Sequence, residues 1–301
     1  MATYFGYETI TFSGISNDIK LTNFYCSKCN TRIGDWQNSV YLYPEFNNEF
    51  TVKKLVSPLI LLLIFTGCQN DIPTPEFEAL TIDEISDRDC DPEEENCAYI
   101  SLNIPWVQSS GARNKSINRN IEQHVIQLID YQEDNNFTSL ESLSQTFLDN
   151  YEASAKEFPE YNIPWEASVE GRVLTNSPEI ISLEFNLAIF TGGAHGFTSK
   201  SYLNLNPQTG EILRIDDLFT PEFQTYAEEI FRKKNEIPAG ESINSTGYFF
   251  ENDSFHLPQN IGFLKNKIIL RYNAYEVASY SEGGIQLEIP REEAQNFIKF
   301  L

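Results

Sequence analysis

The sequence predicts an α+β fold of two lobes, with largely antiparallel sheet and helices packed on one side. Two observations predict it. Segments of helical period fall early in the folded body, and after them comes a run of alternating segments joined by hairpin-type turn signals. With 301 residues, 41% of them hydrophobic and 13% aromatic, the chain has enough apolar material for a real core and for two lobes.

In chain order, AYISLNIP alternates as a first strand, and Ile117, Ile121, Val125, Leu128 and Ile129 then recur at helical spacing. His124 lies beside that stripe, as a helix-surface or boundary residue. A second helix places Leu140, Leu143, Phe147, Tyr151, Ala155 and Phe158 on one face. Strands come next in WEASVEGRVLTN and in EIISLEFNLAIF, where Ile181, Leu183, Phe185, Leu187 and Ile189 share a face. SYLNLNPQTGEILRI reads as a hairpin closed at Gly210. A helix then begins with Thr220 as N-cap and Pro221 in its first turn. IGFLKNKIILRYN forms a further hairpin, GGIQLEIP a strand, and REEAQNFIKF a short terminal helix. The repeated NIPW has different surroundings at its two positions and is no internal repeat.

Charge divides the chain. Residues 1–68 hold five residues of each sign, so the whole formal charge of −23 belongs to residues 69–301. Such a surface repels nucleic acid and attracts cationic partners in a salt-dependent way. At the divide, VKKLVSPLILLLIFTGC has two lysines, an apolar run of 11 residues from Leu55 to Phe65, and small residues before a cysteine. That is the layout of an export signal, and too short to span a bilayer. FTGC resembles the lipobox of bacterial lipoproteins, which implies lipidation of Cys68 and attachment of the exported protein to the cell envelope by that lipid alone.

The expected organisation is therefore a doubtful leader over 1–51, with translation starting at Val52, then a signal over 52–68 and an acidic tether over 69–96. Two lobes complete the chain, over 97–215 and 216–301. The leader's Cys26 and Cys29 are half a zinc site at most. Cys90 and Cys97 would close a small acidic loop as a disulfide, the alternative being a metal pair that lacks zinc-like geometry.

Catalytic signatures are sparse. The chain has no G-x-S-x-G and no H-E-x-x-H, and its histidines stand apart at 124, 195 and 256. Neither a cofactor nor a metal is expected, and the chain reads as a non-enzyme. The adjacent Asp216 and Asp217 read first as a solvated helix entry; paired with His195 they are the enzyme alternative, a cell-wall hydrolase or esterase. In TGGAHGF, Gly192, Gly193 and Gly196 allow positive φ or close approach around His195. His195 then either holds the loop or meets a ligand.

GGAHG, the strand SYLNLN, the turn NPQTGE and DDLF resemble the extracytoplasmic domain pair of the RsiV anti-sigma factor and the PdaC peptidoglycan deacetylase. RYNAYEVASYSEGGIQLEIP is similar to the second domain of that pair, through Tyr272, Asn273, Tyr275, Glu276, Ala278, Tyr280, Gly284, Ile289 and Pro290. The resemblance covers about residues 97–301 and implies a secreted binding module, which in RsiV recognises lysozyme. Sigma-factor control and deacetylation are not implied, because neither the anti-sigma segment nor the deacetylase domain is present. The expected partner is a cationic muramidase of the lysozyme type or a cell-wall glycan, met by the loop at His195 and by Tyr272, Tyr275 and Tyr280.

Overall fold

The structure is a computed structural model, and it describes residues 7–10, 21–24, 73–87, 90, 97–130, 137–161 and 163–300. The chain divides into two compact units, Met1–Gln69 and Asn70–Leu301. In the first, β1 (Tyr7–Ile10) pairs antiparallel with β2 (Leu21–Phe24). Cys26, Cys29 and the expected signal with Cys68 lie outside the described residues.

The second unit carries the α+β fold. Its larger sheet has five strands in the order β3-β4-β5-β6-β7. These are β3 (Phe77–Ile85), β4 (Tyr99–Val107), β5 (Glu166–Asn176), β6 (Ile181–Phe190) and β7 (Phe197–Leu205). All neighbours are antiparallel except β4 and β5. A parallel neighbour demands a long crossover, and here it carries α1 (Ala112–Ile129) and α2 (Leu140–Glu157). Ser139 starts α2 by accepting from the Ser142 N–H at 3.2 Å, so an otherwise orphaned donor of the first turn is satisfied. Both helices lie on one face of the sheet. Their expected stripes, Ile117, Ile121, Val125, Leu143, Phe147 and Tyr151, pack there against Ile100, Leu102, Leu183, Phe185 and Leu203.

Two expectations are corrected, and a third is met in shortened form. The acidic tether does not extend to residue 96. Phe77–Ile85 is the edge strand of the sheet, with Leu80 and Ile82 packed against the core while its acids hide the alternation from a compositional reading. The hairpin after β7 is present but short: Leu205 bridges Ile212, the Asn206 N–H donates to the Glu211 carbonyl and the Leu213 N–H to the Asn204 carbonyl, and the 206–211 turn also docks on α1. The Gly210 carbonyl accepts from Asn120 at 2.7 Å, and Gly210 sits at φ 75° where a Cβ would meet the Arg113 carbonyl at 2.6 Å. Phe158, expected on the buried face of α2, is the helix C-cap and 53% exposed, since the helix ends one residue before it.

Cys90 and Cys97 form the expected disulfide in the β3–β4 connection. Reduction is expected to cost about 2–3 kcal/mol by loop-closure entropy, read as a fall in melting temperature under reductant that a Cys90→Ser/Cys97→Ser variant reproduces without reductant.

The smaller sheet, order β10-β9-β8, comprises β8 (Asn260–Phe263), β9 (Lys267–Tyr272) and β10 (Ile285–Pro290), all antiparallel. Around it lie α3 (Ile215–Leu218), α4 (Glu222–Lys234) and α5 (Arg291–Ala294). Thr220 lies just before α4 and Pro221 is its N-cap. The core of this lobe is strongly aromatic. Phe231 is fully buried among the rings of Tyr248, Phe250, Phe255 and Tyr272.

The smaller lobe lies against the face of β6 and β7 that the helices leave uncovered. Gly262 on β8 makes this approach possible, since a Cβ there would stand 2.6 Å from the Tyr202 ring. The Asn204 amide donates to the Ile261 carbonyl at 2.7 Å, the Phe263 N–H to the Ser182 hydroxyl at 3.0 Å, and the Thr175 hydroxyl to the Phe263 carbonyl at 2.6 Å.

Candidate functional site

The β6–β7 connection, residues 191–196, reaches the smaller lobe at the end of the sheet where β7 begins. Its glycines do different work. Gly192 has φ 81° and leaves room for Trp165, whose Nε1 would be 3.3 Å from an added Cβ, while Gly196 fits under the Ile189 carbonyl at the same distance. Gly193 meets nothing nearer than 3.9 Å and has no steric need to be glycine.

His195 is exposed, and its Nδ1–H donates to the Gly196 carbonyl at 3.0 Å. The other nitrogen is left to the surface, and the ring stacks on Tyr280 with centroids 5.2 Å apart. Tyr280 stacks in turn on Tyr275 at 5.5 Å. Three rings drawn from both lobes thus form a continuous surface stack, with Tyr275 60% and Tyr280 42% exposed. Tyr275 is held at φ 70°, a left-handed conformation costly for a bulky residue, and its N–H donates to the Ala278 carbonyl at 3.1 Å.

Asn273 fixes this segment to the sheet. Its side-chain carbonyl accepts from the Lys200 N–H and its amide donates to the Lys200 carbonyl, both at 3.0 Å, so one side chain pairs with the edge of β7 as a neighbouring strand would. Beside it, Glu184 is 2% exposed and lies 2.8 Å from Arg172 and 3.3 Å from Lys200. Burial opposes its ionisation, but the Arg172 hydrogen bond and the Lys200 charge prevail and hold its pKa below the usual carboxylate value. Glu276, next to Tyr275, is shifted the other way, raised by its burial.

Tyr272, expected at the binding surface, belongs to the core. It is fully buried, its hydroxyl donates to the His256 carbonyl at 2.6 Å, and burial pushes its pKa far above the normal tyrosine value. The enzyme alternative also loses its geometry. His195 precedes β7, whereas Asp216 and Asp217 come after it on α3, and the nine residues of β7 alone span roughly 30 Å at about 3.3 Å each. Asp217 instead caps α3, accepting from the Arg214 N–H at 2.9 Å. Among the described residues, no three His, Cys, Asp or Glu are grouped to hold a metal ion.

His124 takes the boundary position of the two expected, half-buried beside the helix stripe. Its Nε2 lies 2.8 Å from the Ser201 hydroxyl and its ring packs on Phe185, and burial lowers its pKa from 6.5 to about 4. The neutral form is therefore the native one. Between pH 6.5 and about 4 the unfolded chain takes up a proton that the folded chain refuses, so stability falls across that window as pH drops, by at most about 3 kcal/mol. His124→Gln is expected to flatten the denaturation midpoint over this range, which melts at half-unit pH steps check.

Comparison with known proteins agrees with this architecture. Residues 92–198 match the family model described as deacetylase PdaC, and residues 216–292 match that of a protein family of unknown function, DUF3298. No curated protein matches the chain. Among solved structures, a DUF3298-family protein of Bacteroides fragilis superposes with a TM-score of 0.57 at 17% identity, covering 74% of this chain and 93% of that one. A DUF3298-family protein of Pseudomonas aeruginosa gives 0.55 at 18% identity, covering 76% and 96%. At such identities the likeness speaks to the fold, while the two family models fall one in each lobe. Two successive regions of the chain are thus similar to the deacetylase PdaC family and to the DUF3298 family, in that order.

Proposed function

We propose that this chain is a non-catalytic binding module of the bacterial cell envelope, exported and held by a lipid on Cys68. It recognises a cell-wall-related partner, a cationic muramidase of the lysozyme type or the wall glycan itself. The observation that carries the reading is the exposed stack of His195, Tyr280 and Tyr275, three rings ordered by both lobes and left at the surface. Aromatic side chains fixed before binding give a hot spot large contact area at little entropic cost. The surplus of acid after Cys68 favours a cationic partner. The separation of His195 from Asp216 and Asp217 supports binding over turnover.

The test is calorimetric titration of the disulfide-intact protein with a cationic lysozyme at low and physiological salt, with soluble peptidoglycan fragments as a second arm. Micromolar or tighter lysozyme binding that survives physiological salt is expected, weakened about 30-fold by the double change His195→Ala/Tyr275→Ala. Lysozyme binding confined to low salt, together with no fragment binding, rejects the reading. Turnover of labelled peptidoglycan that vanishes in His195→Ala would restore the enzyme alternative.

A further inference from the structure

β3 is an edge of the larger sheet, and its outer side is open. An antiparallel edge strand turns the N–H and C=O of every second residue away from its neighbour, so these nine residues, about 30 Å long, present a row of ladder donors and acceptors. Among the described residues, no hydrogen bond beyond those to β4 reaches the backbone of Phe77–Ile85. The strand is also held at both ends. Before it, Arg113 donates to the Pro73 carbonyl at 2.9 Å and the Asn176 amide to the Pro75 carbonyl at 2.8 Å. After it, the Ser86 N–H donates to the Ala98 carbonyl at 2.9 Å and the Ser86 hydroxyl to Glu152 at 3.1 Å. A template fixed in advance binds at a smaller entropic cost.

Charge decides what this edge accepts. Residues 76–87 carry Glu76, Glu78, Asp83, Glu84 and Asp87 and no Lys or Arg, so a second copy of the chain laid against it would set acid beside acid. At the end of the strand lies a recess of about 300 Å³, to which Glu84 and Asp87 contribute from the β3 side and Asp149 and Glu152 from α2, with the buried Leu148 among them. No ion pair engages these four carboxylates among the described residues. Successive residues of a strand face opposite sides. Glu84, in phase with the core-packed Leu80 and Ile82, therefore looks toward α2 and the recess, while Asp83 looks to the open face, where it accepts from the Ser101 hydroxyl at 2.6 Å.

We propose that β3 receives an extended basic segment of another protein as a sixth, antiparallel strand, with two consecutive Lys or Arg opposite Glu84 and Asp83. The two basic side chains point to opposite faces of the enlarged sheet. One enters the recess, its stem on Leu148 and its charge among Asp87, Asp149 and Glu152. The other meets Asp83 on the open face. The main-chain ladder supplies affinity, and the dibasic pair sets register and partner. The ring stack lies at the opposite edge of the sheet, beside β7, so either assignment can fail without the other.

The experiment titrates the disulfide-intact full chain with the peptide acetyl-TKKVTVTVT-amide, matched in length to β3 and carrying its lysines opposite Glu84 and Asp83 in antiparallel register. Saturable binding is expected by calorimetry, with amide exchange slowed at every second residue of 77–85. N-methylation of alternate peptide residues should abolish binding in one phase and leave it unchanged in the other, because only one set of N–H groups faces β3. Asp149→Lys, at an exposed position of α2, should weaken the peptide at least about 10-fold, the usual scale for a charge-assisted contact, and a peptide with glutamates in place of its lysines should not bind. His195→Ala/Tyr275→Ala should bind it as the unchanged chain does. No saturable binding at millimolar concentration overturns the proposal. So does equal loss from N-methylation in both phases, indifference to Asp149→Lys, or a dimer of the chain that protects 77–85 without peptide.

Discussion

Asn273→Ala is expected to lower stability by about 2–4 kcal/mol and to disorder the ring stack. Each of the two Lys200 backbone groups that loses its partner at the lobe junction costs about 1–3 kcal/mol, with water access reducing the sum. The effect should exceed that of removing an ordinary surface amide, because no other side chain takes over the pairing. Asn273 also begins the turn that sets Tyr275, through the Glu276 N–H bonded to the Asn273 carbonyl at 3.2 Å. The backbone part of that turn survives the change while its docking does not. Chemical denaturation should give the free energy, and the His195 ring resonances should lose the shift that stacking on Tyr280 imposes. Asn273→Asp separates the two halves of the effect, since it keeps the acceptor for the Lys200 N–H and loses the donor to the carbonyl, and it should fall between wild type and alanine. A native melt and unchanged His195 resonances in Asn273→Ala would show that the lobes are held without this clamp.

The second large effect is Phe231→Ala, at about 3–5 kcal/mol. Phe231 is fully buried, and rings approach it from four sides, Tyr248 at 5.0 Å, Phe250 at 5.3 Å, Phe255 at 5.5 Å and Tyr272 at 6.3 Å. Deletion removes the transferred surface and leaves a cavity that a cage of rigid rings closes poorly. Phe231→Leu should recover part of the loss. Equilibrium denaturation followed by near-ultraviolet dichroism reports on this aromatic cluster in particular. A cost below about 1 kcal/mol would mean that the rings collapse into the space, contrary to the close packing seen.

Much of the larger lobe was legible from periodicity. The stripe from Ile117 to Ile129 and the alternation from Ile181 to Ile189 are strong because each element buries one face only. Phe77–Ile85 was not legible, since Glu78, Asp83 and Glu84 gave an edge strand the look of a solvated segment. In the site, glycine spacing singled out the His195 loop, and the family pattern singled out the 272–280 segment, but neither could say which tyrosine faces in. Tyr272 and Tyr275 differ in role because β9 ends at Tyr272, and the turn beyond it throws Tyr275 outward at positive φ. The acidic recess beside β3 had no sequence signal, because its walls come from segments as far apart along the chain as Glu84 on β3 and Glu152 on α2.

The edge strand has a consequence for reach. On the proposed anchoring at Cys68, only residues 69–76 separate the lipid from the first residue of β3. Eight residues extend at most about 25–30 Å, so the sheet is kept within a short leash of the bilayer surface. The module then samples a thin shell next to the membrane, and a partner would have to come down to it, as a small diffusing protein or a glycan end can and a distant outer layer of wall cannot.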